Sequence, residues 1–116
     1  MVKVYQYKNC DSCRKALKWL KENEVNFEAI PIVEEPPTKA QLKTIISDSG
    51  LPLKKFFNTS GQSYRQAGLK DRIDSLTQKE AIDLLAADGK LIKRPLLVSK
   101  KDVLVGFKPE EYAKLL

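Results

Sequence analysis

The sequence predicts an α/β fold for this chain of 116 residues. Three observations support this prediction. A β-rich segment at residues 2–7 is followed by a helical pattern at 11–23 and a second β-rich segment at 25–33. Two short β-rich segments, 96–99 and 103–107, precede a final helical pattern. The segment between these two halves is helical or irregular. Strands that alternate with helices in this way are typical of a helix-covered sheet.

The first helix has an apolar stripe that would pack on the sheet. Cys13, Ala16, Leu17 and Leu20 follow the spacing i, i+3, i+4 and i+7, which places them on one face of a helix. The strand before it contains β-branched and aromatic residues. A second stripe at the same spacing is basic and is typical of a solvated helix face: Arg14, Lys18 and Lys21.

Two capping boxes predict helices in the middle of the chain. Thr38 with Gln41 begins one helix, which Gly50 should end as a left-handed residue. A second box, Thr77 with Glu80, begins a helix that should run to about Asp88 and be closed by Gly89. Residues 51–75 have no long period, so we expect short helical turns and loops there.

The C-terminal part predicts a strand after Lys93-Arg94-Pro95, a hairpin and a final helix. Pro109 suits the first turn of that helix, and its apolar residues would pack it down: Tyr112, Leu115 and Leu116. The order β-α-β … β-β-α is the thioredoxin-like arrangement, here with a helical insertion over about residues 36–90. No linker divides the chain, so we expect a single domain over residues 1–116, a size close to that of a common domain.

Composition excludes several classes of function. Histidine is absent, which removes the commonest general base and the commonest metal ligand. No apolar run approaches the length of a membrane span, and the start has no secretory pattern, so we expect a cytoplasmic protein with no membrane association. We also expect a monomer. The net charge of +6 suits an anionic partner or substrate. Its basic residues are dispersed and no nucleic-acid motif is present, so we expect no direct nucleic-acid binding.

Both cysteines lie in one tetrapeptide, Cys10-Asp11-Ser12-Cys13. Two thiols at this spacing at a helix start are one turn apart and can form a short disulfide. The cap position favours a thiolate at Cys10, because free backbone N–H groups and the helix dipole point at it. Cys13 belongs to the apolar stripe and should be more buried. The pattern therefore predicts that Cys10 attacks an oxidised substrate and that Cys13 resolves the mixed disulfide.

The cysteine pair has three alternative interpretations besides a redox pair. A zinc site needs four ligands, and the chain would supply only two of them, so it would have to be shared across a dimer. A structural disulfide is unusual in the cytoplasm, and so short a loop would constrain little. Two inert thiols that serve only packing are the third alternative.

Basic residues elsewhere in the chain are candidates for binding an anion. In the thioredoxin-like arrangement a proline at the position of Pro95 packs against the cysteine pair with a cis peptide bond, which would place Arg94 beside Cys10. A trans proline at a strand edge and a solvated arginine are the alternatives. Arg65 lies in the irregular part of the insertion, where functional residues are common.

Four segments together resemble the arsenate reductase (ArsC)/Spx-type family: YQYKNCDSCRKALKWL at 5–20, FNTSGQSYRQ at 57–66, KRPLLV at 93–98 and VGFKPEEY at 105–112. They cover essentially the whole chain in the family's order. The resemblance implies a thioredoxin-like fold and a nucleophilic cysteine at Cys10. It also implies a cis Pro95 and anion-holding arginines at Arg65 and Arg94.

Differences within the family point to a small arsenate reductase-like branch with a CxxC motif. The glutaredoxin-linked arsenate reductases have a His-rich signature before the cysteine, where this chain has Lys8-Asn9, and usually lack the cysteine found here at Cys13. A third family arginine near the last strand is not found, because Gly106-Phe107-Lys108 stands at that position. The resemblance implies a thiol-dependent oxidoreductase without a bound cofactor, served by a small thiol or a thioredoxin- or glutaredoxin-type donor. The alternative is an Spx-type redox-sensing transcription regulator, which binds the C-terminal domain of the RNA polymerase α subunit.

Overall fold

A four-stranded mixed sheet forms the centre of the computed structural model, which describes all 116 residues. The strands are β1 (Val2–Gln6), β2 (Phe27–Pro31), β3 (Leu96–Val98) and β4 (Val103–Val105). The helices are α1 (Asp11–Glu22), α2 (Lys39–Ser49), α3 (Gln62–Gln66), α4 (Gln78–Ala87) and α5 (Pro109–Tyr112). Short 3₁₀ turns occupy Leu53–Phe56, Leu69–Asp71, Ile73–Ser75, Gly89–Leu91 and Ala113–Leu115. None of these helices has the length and apolar character needed to cross a bilayer.

The strand order in the sheet is β2-β1-β3-β4. β1 runs parallel to β2, to which α1 connects it, and Val4 pairs with Ala29. β3 lies antiparallel on the other side of β1, with Leu97 opposite Val4, and β4 is the antiparallel edge strand. This β-α-β and β-β-α topology confirms the predicted thioredoxin-like fold, with the helical insertion between its two halves.

The sheet has a hydrophobic core on each face because its strands alternate. Val4 and Leu97 face α1 and α5, where they pack in a cluster with Leu20 and Tyr112. Their chain neighbours, such as Leu96, face the insertion and belong to a larger cluster that includes α2 and α4. The apolar stripe predicted on α1 is therefore a core stripe, since Cys13, Ala16 and Leu20 are all fully buried.

Both capping boxes form as predicted. The Thr38 hydroxyl accepts a hydrogen bond from the Gln41 backbone, and Gly50 ends α2 in the left-handed conformation, at φ 67°. Helix α4 ends just before Gly89, as predicted, although Gly89 is not in the left-handed conformation. The cap of α4 is Asp88, which is extended. Gly89 is required for another reason, because a Cβ there would overlap the backbone carbonyl of Ile32.

The predicted packing of the C-terminal segment holds only in part. Tyr112 is fully buried and its hydroxyl donates to the Gly106 carbonyl at 3.1 Å. Leu115 is half-buried against the same cluster. The prediction for Leu116 was wrong, since 72% of its surface is exposed. The helical pattern stops one residue earlier, where the last 3₁₀ turn ends and leaves no element to cover that side chain.

Candidate active site

Cys10 lies where the chain turns from β1 into α1, and it is the N-cap residue of that helix. Its backbone is extended, as a cap requires, and its Sγ accepts a hydrogen bond from the Cys13 backbone N–H at 3.2 Å. The side chain is partly exposed. This sulfur therefore faces both solvent and a backbone donor at the positive end of a helix.

Cys13 lies one turn into α1 and is fully buried. The pKa of its thiol is raised to about 12, chiefly by burial and also by the hydrogen bond with Cys10, while the Tyr7 backbone and the Arg94 charge act in the opposite direction. Both thiols are free. The two cysteines thus differ in environment, with one sulfur accessible and the other held protonated beneath it.

Arg14 stabilises the turn in which Cys10 lies. Its guanidinium donates to the Lys8 carbonyl at 3.0 Å and pairs with the Asp11 carboxylate. The sequence pattern assigned Arg14 to a solvated face together with Lys18 and Lys21, and all three side chains are exposed. The structure adds that Arg14 joins the segments on either side of Cys10.

Arg94 lies near Cys13, and Pro95 follows Arg94 immediately before β3. The Arg94–Pro95 peptide bond is cis, as expected, and Pro95 is buried. The Arg94 guanidinium stacks over the Tyr7 ring with its Cζ 4.8 Å from the ring centroid, and it donates to the Lys90 carbonyl at 3.3 Å. Arg94 is also close enough to Cys13 to lower the pKa of its thiol.

A polar cleft of about 350 Å³ opens next to Arg94. Tyr7 is its only hydrophobic lining residue, and its two charged residues, Lys90 and Arg94, are both cations. Amide and hydroxyl groups of the insertion complete the wall, chiefly those of Asn58, Ser63 and Gln66. A cleft with this lining suits a small anion or the anionic part of a larger substrate.

Arg65 is not part of the lining of this polar cleft. Its side chain is exposed, and its guanidinium donates to the Ser60 carbonyl at 2.9 Å. The structure therefore brings Arg94 close to Cys13, whereas Arg65 lies outside the lining of the cleft. The anion-binding role expected for Arg65 stays a prediction.

Sequence reasoning identified only Arg94 among the residues that line the cleft, and missed Tyr7, Asn58 and Lys90 among others. Tyr7 was assigned only to the first strand, although it lies three residues before Cys10. Asn58 belongs to a segment already known to be irregular and polar, which was a weak signal. Nothing in the local sequence marks Lys90, which lines the cleft and whose backbone carbonyl accepts a hydrogen bond from Arg94. No group of three or more potential metal-ligating side chains is present.

The model of the ArsC family matches residues 5–115. The chain belongs to the ArsC family. Among curated relatives, YusI of Bacillus subtilis is 48% identical over 108 residues, covering 93% of this chain and 92% of YusI. The regulatory protein MgsR of the same organism is 34% identical, covering 96% and 86%. The global transcriptional regulator Spx of Lactiplantibacillus plantarum is 27% identical, covering 100% and 86%.

Solved structures with this fold include a protein from Bacteroides fragilis described as related to the ArsC family. It is 50% identical, with a TM-score of 0.96, and the alignment covers 99% of this chain and 97% of that one. A protein from Streptococcus mutans described as a possible arsenate reductase is 44% identical, with a TM-score of 0.90 and coverages of 97% and 98%. The family's relatives thus include both arsenate reductase-like proteins and transcription regulators.

Proposed function

We propose that this ArsC-family protein is a cytoplasmic thiol-dependent oxidoreductase in which Cys10 is the nucleophile and Cys13 the resolving thiol. The observation that carries the proposal is the asymmetry of the pair. The Cys10 sulfur is partly exposed at a helix N-terminus and accepts the Cys13 N–H, while the Cys13 thiol is buried one turn below. A redox pair needs one accessible attacking sulfur and one protected sulfur that reacts second.

The proposed reaction transfers two electrons to a disulfide substrate. The Cys10 thiolate attacks one substrate sulfur, forms a mixed disulfide and releases the other sulfur as a thiolate, which takes a proton. The Cys13 thiol then loses its proton and attacks the Cys10 sulfur. A Cys10–Cys13 disulfide forms and the second substrate thiolate leaves. A low-molecular-weight thiol or a thioredoxin- or glutaredoxin-type protein then supplies two electrons to restore the dithiol.

The polar cleft would hold the anionic part of the substrate. Arg94 and Lys90 supply the positive charge, and Pro95 fixes the chain that carries Arg94. Arsenate is the oxyanion suggested by the family, and Arg65 would join these residues only if its side chain turned inward. Arg94→Ala should abolish arsenate-dependent thiol oxidation, while the Cys10–Cys13 disulfide still forms with a chemical oxidant. Arsenate turnover that survives this change would contradict the assignment of Arg94.

Alkylation with excess iodoacetamide at neutral pH tests the roles of the two cysteines. Mass spectrometry of the reduced protein should show Cys10 modified well before Cys13, because only Cys10 is accessible. Matched Cys10→Ser and Cys13→Ser variants assign the two rates. Only Cys13→Ser should trap a stable mixed disulfide with a model substrate. Equal and slow labelling of both thiols would overturn the proposal.

A second candidate function is supported by the relatives named as regulators. MgsR and Spx match this chain over nearly its whole length. In this case the Cys10–Cys13 pair would serve as a redox switch for binding to the C-terminal domain of the RNA polymerase α subunit. A pull-down with that domain, using oxidised and reduced protein, decides between the candidates. Binding in neither redox state would exclude the regulator.

A further inference from the structure

A second concave surface, here called the basic groove, lies on the β4 side of the sheet. Its volume is about 600 Å³, and it runs from the end of α2 past residues 103–108 to Lys114. Ser12, which lies between the two cysteines, is part of its wall. The basic groove is distinct from the polar cleft, and Arg94 is the one residue that lines both.

Positive charge dominates this groove. One acidic residue, Glu111, lies among five basic ones: Lys55, Lys93, Arg94, Lys108 and Lys114. Apolar side chains accompany them, with contributions from β4 and from Phe107. A second copy of this chain would bring the same cations and a net charge of +6, so its charge opposes self-association here. A basic rim around an apolar strand is complementary to an acidic segment.

The floor of the groove contains the outer edge of β4, which has no strand partner on that side. The Gly106 N–H donates to the Pro95 carbonyl at 2.8 Å, which makes this antiparallel pair a hydrogen-bonded one. Hydrogen-bonded and non-hydrogen-bonded pairs alternate along the ladder, so the backbone N–H and C=O of Leu104 also point towards β3. The backbone N–H and C=O groups of Val103 and Val105 therefore point away from β3. Neither Val103 nor Val105 takes part in any turn, loop or side-chain hydrogen bond of the chain. These donors and acceptors are available to another strand.

We infer that the basic groove binds an extended acidic segment of a partner protein, which adds to the sheet as a strand beside β4. Backbone pairing with Val103 and Val105 would supply affinity, and the lysines would select acidic side chains. The open backbone edge favours a polypeptide over a nucleic acid, which could not continue the ladder. Because Ser12 borders the groove, the docked segment would end beside Cys10. The acidic segment would belong to a partner of the proposed thiol oxidoreductase. The purpose given to docking rests on the proposed function, whereas binding of the segment does not require the thiol chemistry.

Fluorescence anisotropy with a labelled decapeptide of alternating Glu and Thr tests this inference. The full chain should bind this peptide and not the matching Lys and Thr peptide. The double variant Lys108→Glu/Lys114→Glu should weaken binding by about tenfold or more, since rim charges set electrostatic complementarity. The control Lys18→Glu/Lys43→Glu has the same charge change on exposed helix positions outside the groove and should stay within about twofold.

Two further measurements test strand pairing and separate docking from thiol chemistry, and neither alters the fold. An acidic peptide N-methylated at alternate residues should bind much more weakly, because it cannot continue the ladder. Equal binding of that peptide, equal loss in both double variants, or equal competition by a single-stranded oligonucleotide would each overturn the inference. Cys10→Ser should bind the peptide as the native chain does. Failure of the proposed thiol chemistry and failure of the docking site are thereby distinguished.

Discussion

Tyr7 connects the two parts of the candidate site at the scale of single residues. Its backbone lowers the pKa of the Cys13 thiol, and its ring supports the Arg94 guanidinium at 4.8 Å. A cation held over an aromatic face loses part of its freedom to move into solvent. Tyr7 is therefore a positioning residue, which acts on a substrate through Arg94.

Tyr7→Leu should lower kcat/KM for an anionic disulfide by about two- to fivefold, which corresponds to the loss of one partly exposed cation–π contact. The loss should be in KM, because the side chain orients the anion-binding group. Tyr7→Phe retains an aromatic face and should stay close to the native rate. A neutral disulfide, such as 2-hydroxyethyl disulfide, serves as the control substrate. Equal losses on the neutral and anionic substrates would contradict the positioning role.

The sequence predicts the cysteine pair of this site but not the contact between Tyr7 and Arg94, for a physical reason. The relation between Cys10 and Cys13 is local, since one helical turn sets both their distance and their difference in burial. The contact between Tyr7 and Arg94 joins residues that are far apart in the chain and depends on the pairing of β1 with β3. No local pattern encodes such a contact. The fold had to be known before Tyr7 and Lys90 could be assigned to the cleft.

At the scale of elements, helix starts were predicted better than helix ends. A capping box is a local hydrogen-bond pattern, so Thr38 and Thr77 identified two helix starts from sequence alone. A glycine after a helix has two physical explanations, a left-handed turn or a close approach of another segment. Gly50 has the first and Gly89 the second, and only the packing of Gly89 against Ile32 reveals the difference.

Gly89→Ala should destabilise the fold by about 2–3 kcal/mol, because the added Cβ would force the Ile32 backbone to move. Gly50→Ala is the matched control, since its φ is 67° and nothing lies within 4 Å of the new Cβ. That variant should lose only about 1 kcal/mol from its left-handed backbone. Urea unfolding followed by circular dichroism measures both values. A smaller loss at Gly89 than at Gly50 would contradict this account.

Buried acidic groups should set the alkaline stability of the whole molecule. The Cys13 thiol titrates at about 9.0 when unfolded, but burial raises its pKa to about 12 in the fold. Above pH 9 the unfolded state therefore binds fewer protons than the folded state, so the free energy of unfolding falls as pH rises. Burial also raises the pKa of Tyr112 from 10.0.

Cys13→Ala should therefore move the onset of this loss from about pH 9 to about pH 10, where the tyrosines begin to contribute. Unfolding in urea at a series of pH values, with a reductant present, measures the onset. Tyr112→Phe should keep the onset near pH 9 and reduce the decline above pH 10. An unchanged onset in Cys13→Ala would show that the buried thiol does not control alkaline stability.

The two hydrophobic clusters share one sheet, and we expect them to unfold together. Trp19 is the only tryptophan and packs edge-on against Tyr112 on the α1 face, so its fluorescence reports that cluster alone. Far-UV circular dichroism also reports the helices of the insertion. The two transitions in urea should coincide if residues 1–116 form one cooperative domain. Separate midpoints would show that the insertion unfolds independently.

Arg94 borders both the polar cleft and the basic groove, and this shared position has a thermodynamic consequence. A ligand in the cleft that draws the guanidinium inward removes positive charge from the groove, so it would weaken an acidic segment bound there. Linkage requires the segment to weaken the ligand by the same factor. Binding of an anion in the cleft and of an acidic segment in the groove would then oppose each other through Arg94. A docked partner would therefore promote release of the anion from the cleft.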